Sequence, residues 1–398
     1  MPVARSVAVK DGDVLLLLGT MKGAFLLRGR GRAKASSWEL GGPYFAGSSV
    51  YAMAYDDRAG RHRLWAASES AHWGAVLNWS DDFGKTWKSP KTATVRFPED
   101  SGLALKQIWQ VCPGRLSEPD VLYCGVAPAA LFESRDGGES WHVVRGLHDH
   151  PHRARWTPGG GGLCLHTIIP HPADRNRLLV AISTGGVYLT VDGGRSFRAS
   201  NRGIRADFLP DRHPEFGQCV HKVVRHPTRP ERFFLQNHGG LYRSDDGGAS
   251  WRDIANGVPS DFGFAMAGHP HEADTVYIVP LEADAFRCPP EGRLRVYRTR
   301  NGGGSWRPLT RGLPQEHVFD SVLRDALCTD TREPTGVYFG TRGGKVFGSR
   351  DDGTSWKELI DGLPSIVSVK AAVVSGLGPT RSVRPVRRAR PGRAARHA

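Results

Sequence analysis

A short polar octet that ends in an aromatic residue recurs along the chain and constrains its fold more than any other feature. The octet has the form S/T-x-D/N-x-G-x-S/T-W/F, and its six copies begin at Ser80, Ser134, Thr190, Ser244, Thr299 and Ser349. Their final aromatic residues follow one another at steps of 54, 56, 54, 55 and 50 residues. A near-constant step indicates that one supersecondary unit is repeated, and that neighbouring units bury a shared core.

The residue types of the octet predict a tight turn rather than a catalytic site. The third residue can accept hydrogen bonds from backbone N–H groups of its own turn, and the fifth, a glycine, can adopt a positive φ. The final aromatic residue then starts the next strand and packs between neighbouring sheets. We therefore expect structural roles for the third residues, which are Asp82, Asp136, Asp192, Asp246, Asn301 and Asp351.

The octet resembles the Asp box, also called the bacterial neuraminidase repeat, and the resemblance extends over nearly the whole chain to about residue 370. It implies a β-propeller of the sialidase-like superfamily. In kind, the chain looks like the uncharacterised bacterial seven-bladed proteins with this repeat and like the photosystem II assembly factor. The resemblance implies an architecture and does not identify a partner.

The strand pattern predicts an all-β chain with four short strands in each unit, as in residues 219–257. Seven pairs of middle strands can be recognised, the first in residues 15–27. That first unit lacks an innermost strand, whereas the last predicted strand, residues 365–374, has no unit of its own. We therefore expect one seven-bladed β-propeller over residues 1–375, closed by pairing of its two ends, and a disordered Arg/Pro-rich tail over residues 376–398.

The composition favours a cytoplasmic protein. There is no run of eighteen apolar residues that would predict a membrane span, and the apolar run at residues 14–18 is too short for a signal-peptide core. The six cysteines lack CxxC spacing, so we expect them to be reduced. Half of the net charge of +14 lies in the last eighteen residues, which hold seven arginines and no acid. Nucleic-acid binding is therefore considered for this tail alone.

The order of the strands predicts which face of the propeller carries function. The chain of each blade should run down, up, down and up, so that the octets share the lower face with the turns between first and second strands. The upper face then collects the turns between second and third strands and the connections between blades. Because the octets are assigned structural roles, we expect the upper face to bind ligands.

One residue of each innermost strand is predicted to lie at the upper mouth of the central channel. Aligning the strands on the His-Pro pairs at His171, His226 and His269 gives these positions. They are Tyr51, Trp109 with Gln110 beside it, His166, His221, Phe264, Arg324 and a position near Ser368. Such a polar and aromatic ring is a candidate ligand surface, although each member alone could be a hydrogen-bonded residue of a wet channel.

The turns between second and third strands add further candidates to the upper face. These are His72, Trp73, Asn237 and His238. An unusually long connection after Pro280 contributes Glu282, Asp284 and Arg287. Most turns of this chain need two to five residues, so the length of this connection favours a functional role over decoration.

The sequence predicts neither a cofactor nor a metal site. His148, His150 and His152 alternate along a connection between blades and could present imidazoles on one side of an extended chain. A histidine triplet in a loop is nevertheless a weak pattern. The glycine run 159–162 lacks the Lys-Ser/Thr of a phosphate loop and more simply lets backbone pass close to a neighbour.

Two classes of function remain. The chain is predicted to be a binding or assembly module that holds a small molecule, a glycan or a protein at the channel mouth. The candidate contacts are His72, Trp73, Gln110, His166, His221, Asn237, His238 and Arg287. The alternative is a glycoside hydrolase that uses upper-face carboxylates. Its candidate catalytic residues are Glu282, Asp284, Arg324 and Asp325.

The residues present argue against a sialidase. The resemblance to sialidases implies an arginine triad, a tyrosine nucleophile with a glutamate partner, and an aspartate acid/base. Their R-I-P signature is absent from the matching region, GTMKGAF, and Arg324 is the one arginine among the ring positions. A binding module is therefore the favoured prediction.

Overall fold

The strands form a seven-bladed β-propeller, as the repeat predicts. The computed structural model describes residues 4–30, 37–72, 74–91 and 94–377. In this part of the chain the strands form seven antiparallel sheets, one for each blade. Trp73 and the tail from residue 378 lie outside the described residues, as do residues 31–36.

The strands of each blade follow one another along the chain. Blade 1 contains β1 (Val14–Thr20), β2 (Gly23–Gly29) and β3 (Trp38–Tyr44). Blade 2 contains β4 (Ser49–Asp56), β5 (Arg63–Ser70) and β6 (Gly74–Ser80). Blade 3 contains β7 (Gln107–Pro113), β8 (Leu122–Ala127), β9 (Ala130–Ser134) and β10 (His142–Val143). Blade 4 contains β11 (Leu165–Pro170), β12 (Leu178–Ile182), β13 (Gly186–Thr190) and β14 (Arg198–Ala199).

Three further blades and the closing strand complete the ring. Blade 5 contains β15 (Val220–Arg225), β16 (Phe233–Asn237), β17 (Leu241–Ser244) and β18 (Arg252–Asp253). Blade 6 contains β19 (Gly263–Gly268), β20 (Val276–Pro280), β21 (Val296–Thr299) and β22 (Arg307–Leu309). Blade 7 contains β23 (Leu327–Thr329), β24 (Val337–Gly340), β25 (Val346–Ser349) and β26 (Lys357–Ile360). The last strand is β27 (Ile366–Val373).

Helices are short and lie in the connections. The described residues form α1 (Arg145–His148) and the 3₁₀ helices Arg58–Gly60, Glu99–Ser101, Pro151–Arg155 and Pro290–Gly292. Among the described residues, no helix has the length and apolar character needed to cross a membrane.

The ring is closed by the two ends of the chain, which confirms the sequence prediction. Strand β27 pairs antiparallel with β1 from Val14↔Val373 to Thr20↔Ile366 and becomes the innermost strand of blade 1. The bonds Met21 N–H to Ser365 O (2.9 Å) and Val374 N–H to Asp13 O (2.9 Å) extend this pairing at both ends. The sheet therefore holds the first and last strands together without a covalent link.

Each octet forms the turn that its residue types predict. In the fourth octet, Asp246 Oδ1 accepts hydrogen bonds from the Ser244 hydroxyl (2.7 Å) and from the Ser250 backbone N–H (3.0 Å). Gly248, the fifth residue, has φ of +89°. Asn301 of the fifth octet accepts the same backbone bond, from Ser305 at 2.9 Å. The turn therefore depends on a side-chain oxygen at the third position and not on its charge.

The octets lie on the same face as the turns between first and second strands. The backbone N–H of Gly247 donates to Glu231 O, in the β15–β16 turn, at 2.9 Å. Equivalent bonds join the octet turn to the first turn in blades 3, 4, 6 and 7, at Gly137, Gly193, Gly302 and Asp352. The upper face is therefore the side of the β-sheets opposite the octets.

The aromatic residue that ends each octet packs between blades. Trp251 is 5% exposed and lies in one apolar cluster with Leu179 and Val187 of blade 4 and Val223 of blade 5. Its indole N–H donates to Ser200 O of blade 4 at 2.9 Å. Each such residue removes apolar surface from water and also fixes the angle between neighbouring sheets.

Blade 2 departs from the four-strand pattern in the described residues. Its fourth strand is reduced to an isolated bridge between Lys88 and Trp79, with N–H···O distances of 2.8 and 3.0 Å. Pro90 follows two residues later and has no N–H with which to continue the ladder. The first octet therefore forms its turn without building a full outer strand.

Candidate functional site

Six of the seven innermost strands contain one extra residue at the upper end of the channel, and β23 of blade 7 pairs without one. The strand register skips one residue between Val50 and Ala52, and it does so at the same place in five other blades. The skipped residues are Tyr51, Trp109, His166, His221, Phe264 and, in β27, Val367. A bulge redirects the side chain of its extra residue, which explains why these positions can face the channel mouth.

In the closing blade, the bulge lies one residue before Ser368, near which the sequence alignment placed the ring position. Val367 is the extra residue of β27, whereas Ser368 stays in register opposite Gly19 and is fully buried. The sequence could not place this bulge, because β27 lacks the His-Pro pair that aligned blades 4 to 6.

Several bulge residues meet at a cavity of about 300 Å³ in the channel mouth. Tyr51, Trp109 and Phe264 line it, with the rings of Tyr51 and Trp109 5.0 Å apart. Arg342 and Met21 reach the cavity from the turns of blades 7 and 1. The mouth therefore combines flat aromatic surfaces with cationic groups.

Two more arginines stack on these aromatic rings. The Arg324 guanidinium lies 5.4 Å from the ring centre of Trp109, and its Nε donates to the His221 carbonyl oxygen. Arg287 lies 5.1 Å from the ring centre of Phe264. The ring contacts only the face of a guanidinium and leaves its edge for hydrogen bonds; in Arg287, Nε and Nη2 already donate to Asp284.

The carboxylate of Asp325 lies beneath the mouth in a buried ion cluster. Its Oδ1 accepts from Lys222 Nζ at 2.6 Å and from Lys370 Nζ at 2.9 Å. Burial by itself raises the pKa of a carboxyl group, but the two ammonium groups outweigh it and hold the pKa of Asp325 below its usual value. Burial lowers the pKa of Lys222 to about 8. The two ion pairs therefore favour the ionised form of Asp325, which is unsuited to act as a general acid.

The two ring histidines tie neighbouring blades together. His166 Nε2 donates to Val220 O of blade 5 at 2.9 Å, and His221 Nδ1 donates to Gly263 O of blade 6 at 2.6 Å. Burial lowers the pKa of both imidazoles well below the usual value, so both are neutral. His166 is fully buried and bonded at both nitrogens, so it supports the mouth without reaching it.

The other predicted contacts divide between the upper face and the interior. His72 is exposed, and His238 packs its ring 5.6 Å from that of His221. Asn237 is fully buried and donates to Arg205 O at 2.8 Å, which fixes the β16–β17 turn. Gln110 does not join the mouth: it lines a separate cavity of about 410 Å³ beside Lys370.

The long connection of blade 6 carries the remaining predicted catalytic residues. Asp284 is exposed and pairs with Arg287, whose Nη2 lies 2.5 Å from its Oδ1. Glu282 is exposed on the same connection, and its backbone N–H donates to Cys288 O at 2.7 Å. The connection thus directs Arg287 over the mouth, while the Asp284 carboxylate is bonded to Arg287.

The alternating histidines of the connection between blades 3 and 4 do not converge on one point. His150 Nδ1 accepts from the backbone N–H of His152, whose own Nδ1 lies 3.1 Å from the Tyr188 hydroxyl. Within the described residues, the three-ligand cluster that the fold does bring together is Cys219, His221 and His238. Sequence spacing missed it, because a turn between strands supplies His238.

Three cationic residues of the site could not be predicted from the sequence. Lys222 and Lys370 lie on innermost strands, one residue beyond the bulge and three beyond it, and Arg342 lies in the turn between β24 and β25. Charged residues on a strand are commonly solvated, so nothing in the local sequence marks them as facing a channel.

Comparison with known proteins gives a relative that matches part of the chain. No protein-family model matches the chain. Over 211 residues it is 26% identical to a probable oligoxyloglucan-reducing end-specific xyloglucanase of Neosartorya fischeri; the match covers 50% of this chain and 22% of that protein. The chain therefore corresponds to about a fifth of that relative.

Solved structures share the propeller. The GH74 enzyme of Niastella koreensis matches with a TM-score of 0.58 at 16% identity, over 89% of this chain and 55% of that one. The structure of YCF48 bound to D1 peptide matches with a TM-score of 0.52 at 14% identity, over 89% of this chain and 87% of that one. At these identities the likeness shows the β-propeller fold alone.

Proposed function

We propose that this chain is an Asp-box propeller that acts as a binding module and holds an acidic, extended protein segment at its upper channel mouth. One observation carries the proposal: Arg287, Arg324 and Arg342 line the mouth, and its one lining carboxylate among the described residues, Asp325, is engaged by two lysines. Because Asp284 pairs with Arg287, the excess of cations comes from Arg324, Arg342 and the lysines, and the ligand class follows from it.

The charges of the mouth favour an anionic ligand. Lys222 and Lys370 share the single Asp325 carboxylate, so the cluster keeps a net positive charge when both amines are protonated. Arg324 adds a second cation within the same channel. Guanidinium groups bind carboxylates through paired N–H donors, and the low-dielectric walls of a cleft focus their field on a ligand.

The shape of the site favours a chain over a compact ion. Tyr51, Trp109 and Phe264 supply flat apolar surfaces beside the arginines, so alternate side chains of an extended peptide could stack while acidic ones pair with guanidinium groups. YCF48, which the chain matches over most of its length, is described as bound to D1 peptide. That supports a peptide as the ligand.

A pool of labelled hexapeptides of the form X-E-X-E-X-E, followed by fluorescence polarisation, tests the proposal. The control pool has Gln in place of Glu. We expect the acidic pool to bind and the Gln pool to bind at least about tenfold more weakly, since each charged hydrogen bond contributes about 1.5–3 kcal/mol. Binding that is equal for both pools would contradict the anionic-ligand proposal.

Variants connect this binding to the mouth. Arg287 and Arg342 are exposed, so Arg287→Gln and Arg342→Gln should leave the fold intact and weaken binding of the acidic pool. Arg195→Gln is the matched control, because Arg195 is exposed in the third octet on the lower face. A loss of binding in Arg195→Gln equal to that in Arg287→Gln would place the ligand elsewhere.

Glycoside hydrolysis is the second candidate, because the sequence relative is named a xyloglucanase. Retaining hydrolysis needs two carboxyl groups about 5–5.5 Å apart, and inverting hydrolysis needs about 6.5–9.5 Å. Asp325 is ion-paired to lysines and Asp284 to Arg287. These ion pairs weigh against either carboxylate serving as one of the two catalytic groups. Release of reducing ends from xyloglucan oligosaccharides, abolished by Glu282→Gln or Asp284→Asn, would favour this candidate over the binding module.

A further inference from the structure

We infer that Cys219, His221 and His238 form a zinc(II) site on the upper side of blade 5, beside the channel mouth. Each residue offers one ligand atom, and the three atoms lie within 4.8 Å of one another. A thiolate with two imidazoles is a ligand set that Zn²⁺ takes in proteins. The site adjoins Arg324, whose Nε donates to the His221 carbonyl oxygen, but the metal ligands are other atoms and the inference does not depend on the proposed peptide ligand.

The blade assembles this site from two adjacent strand ends. Val220 pairs with Asn237, so the residues just beyond them, Cys219 and His238, lie side by side. The backbone N–H of His238 donates to Cys219 O at 2.9 Å, which extends the ladder by one bond. His221 is the bulge residue of β15. The strand pairing and the bulge therefore fix the backbone positions of all three ligand residues.

His221 is already oriented as a metal ligand. Its Nδ1–H donates to Gly263 O at 2.6 Å, which leaves the lone pair of Nε2 pointing toward the Cys219 sulfur, 3.6 Å away. A histidine that binds a metal usually donates its other N–H to a carbonyl or carboxylate. With bonds of about 2.3 Å to sulfur and about 2.0–2.1 Å to nitrogen, tetrahedral Zn²⁺ requires a sulfur–nitrogen separation of about 3.6 Å.

Aromatic rings restrict the imidazoles. His221 stacks on Phe264 with ring centres 4.3 Å apart, and the His238 ring lies 5.2 Å from Phe262 and 5.7 Å from Phe208. His221 is buried, whereas Cys219 and His238 are each partly exposed. An ion can therefore reach the cluster from the solvent side while the innermost ligand stays fixed.

Three protein ligands leave the fourth tetrahedral position for water or for a donor atom of a bound molecule. Binding forms one Zn–S and two Zn–N bonds. It breaks the Cys219 S–H bond and releases that proton to solvent, because the neutral imidazoles bind through lone pairs. No oxidant or reductant is needed.

Metal titration of the full chain tests the site. The protein is stripped with a chelator and then titrated with Zn²⁺ and, separately, with Co²⁺. We expect one equivalent of each metal to bind, and the cobalt form to show a thiolate-to-cobalt charge-transfer band. Cys219→Ser should abolish the band. His238→Gln should weaken Zn²⁺ binding by at least about tenfold, because loss of a residue that only hydrogen-bonds to a metal ligand already weakens binding about that much.

Two variants control for incidental binding. Cys288→Ser removes another partly exposed thiol of the upper face, and His72→Gln removes an exposed imidazole of the β5–β6 turn in blade 2. Both control variants should bind one equivalent of metal and keep the thiolate-to-cobalt band. If Cys219→Ser fails to fold, His238→Gln decides alone, because His238 is partly exposed. The inference is wrong if the native chain binds no equivalent of zinc, or if Cys219→Ser and His238→Gln bind as the native chain does.

Discussion

Lys222 of blade 5 donates to Asp325 of blade 7 at 2.6 Å across the central channel. Lys370, on the closing strand of blade 1, donates to the same carboxylate oxygen at 2.9 Å. One carboxylate therefore joins three blades that are distant in sequence. Asp325 and Lys222 are buried and Lys370 is partly buried, so water screens the attraction between these charges less than at the surface.

Removing the central carboxylate should cost much more than removing an exposed one. We expect Asp325→Asn to lower the free energy of unfolding by about 3–5 kcal/mol, because it leaves the buried Lys222 ammonium group, and the partly buried one of Lys370, without their counterion. Asp284→Asn is the matched control, since its pair with Arg287 is solvent-exposed and should contribute less than about 1 kcal/mol. Equal losses in urea unfolding would show that the ion cluster does not stabilise the ring.

The octet aspartates should confer stability that is lost in acid. Burial opposes ionisation of Asp136, but hydrogen bonds from Ser140 and Ser134 outweigh it and lower its pKa to about 2. A carboxyl whose folded pKa is depressed contributes stability above its unfolded pKa of about 4, and loses it as pH falls toward 2. Asp136→Asn should therefore flatten the decline of unfolding free energy between pH 4 and pH 2.

The natural asparagine of the fifth octet supplies the comparison for this prediction. Asn301 makes the same backbone bond without a charge, so Asp136→Asn should fold at pH 7. Asp136→Ala removes the acceptor as well and should cost about 1–3 kcal/mol at pH 7. An acid decline in Asp136→Asn as steep as in the native chain would contradict the role given to this carboxylate.

Close backbone contact between blades should make one glycine far less replaceable than another. A Cβ on Gly203 would lie 2.0 Å from Trp251 O, whereas a Cβ on Gly257 meets no atom within 4 Å. Both have positive φ, +97° and +86°, so both alanine variants carry the cost of about 1–2 kcal/mol for a left-handed backbone. Only Gly203→Ala must also displace the backbone at Trp251. In urea unfolding, we expect it to be less stable than Gly257→Ala by at least about a further 1–2 kcal/mol. Similar midpoints would show that the blades tolerate separation here.

The closing strand should be essential and the tail dispensable. A chain ending at residue 377 keeps β27, and we expect its thermal midpoint to match that of the full chain. A chain ending at residue 364 loses the strand that pairs with Val14–Thr20, exposes the edge of β1, and should aggregate or unfold. A midpoint for the 377 variant several degrees below the native one would assign a structural role to residues 378–398.

The residues of the octet were sufficient to predict their turns, because a side-chain acceptor and a positive-φ glycine act within a few residues of each other. The unpaired strand at 365–374 was likewise sufficient to predict ring closure. The prediction that Gln110 lies at the mouth differs from the structure, because the bulge at Trp109 turns the next residue toward another cavity. Bulges depend on the register between strands, which has no local sequence signal.

The sequence by itself determined the number of blades, the strand that closes the ring and the face on which the octets lie, since each follows from short-range patterns repeated along the chain. Only the tertiary structure decided which side chains meet: Lys222 and Lys370 on Asp325, Arg324 on Trp109, and His238 beside Cys219. The physical reason is that the ring brings innermost strands from distant blades to one axis, where charges and ligand atoms act over a few ångströms regardless of their separation in the chain.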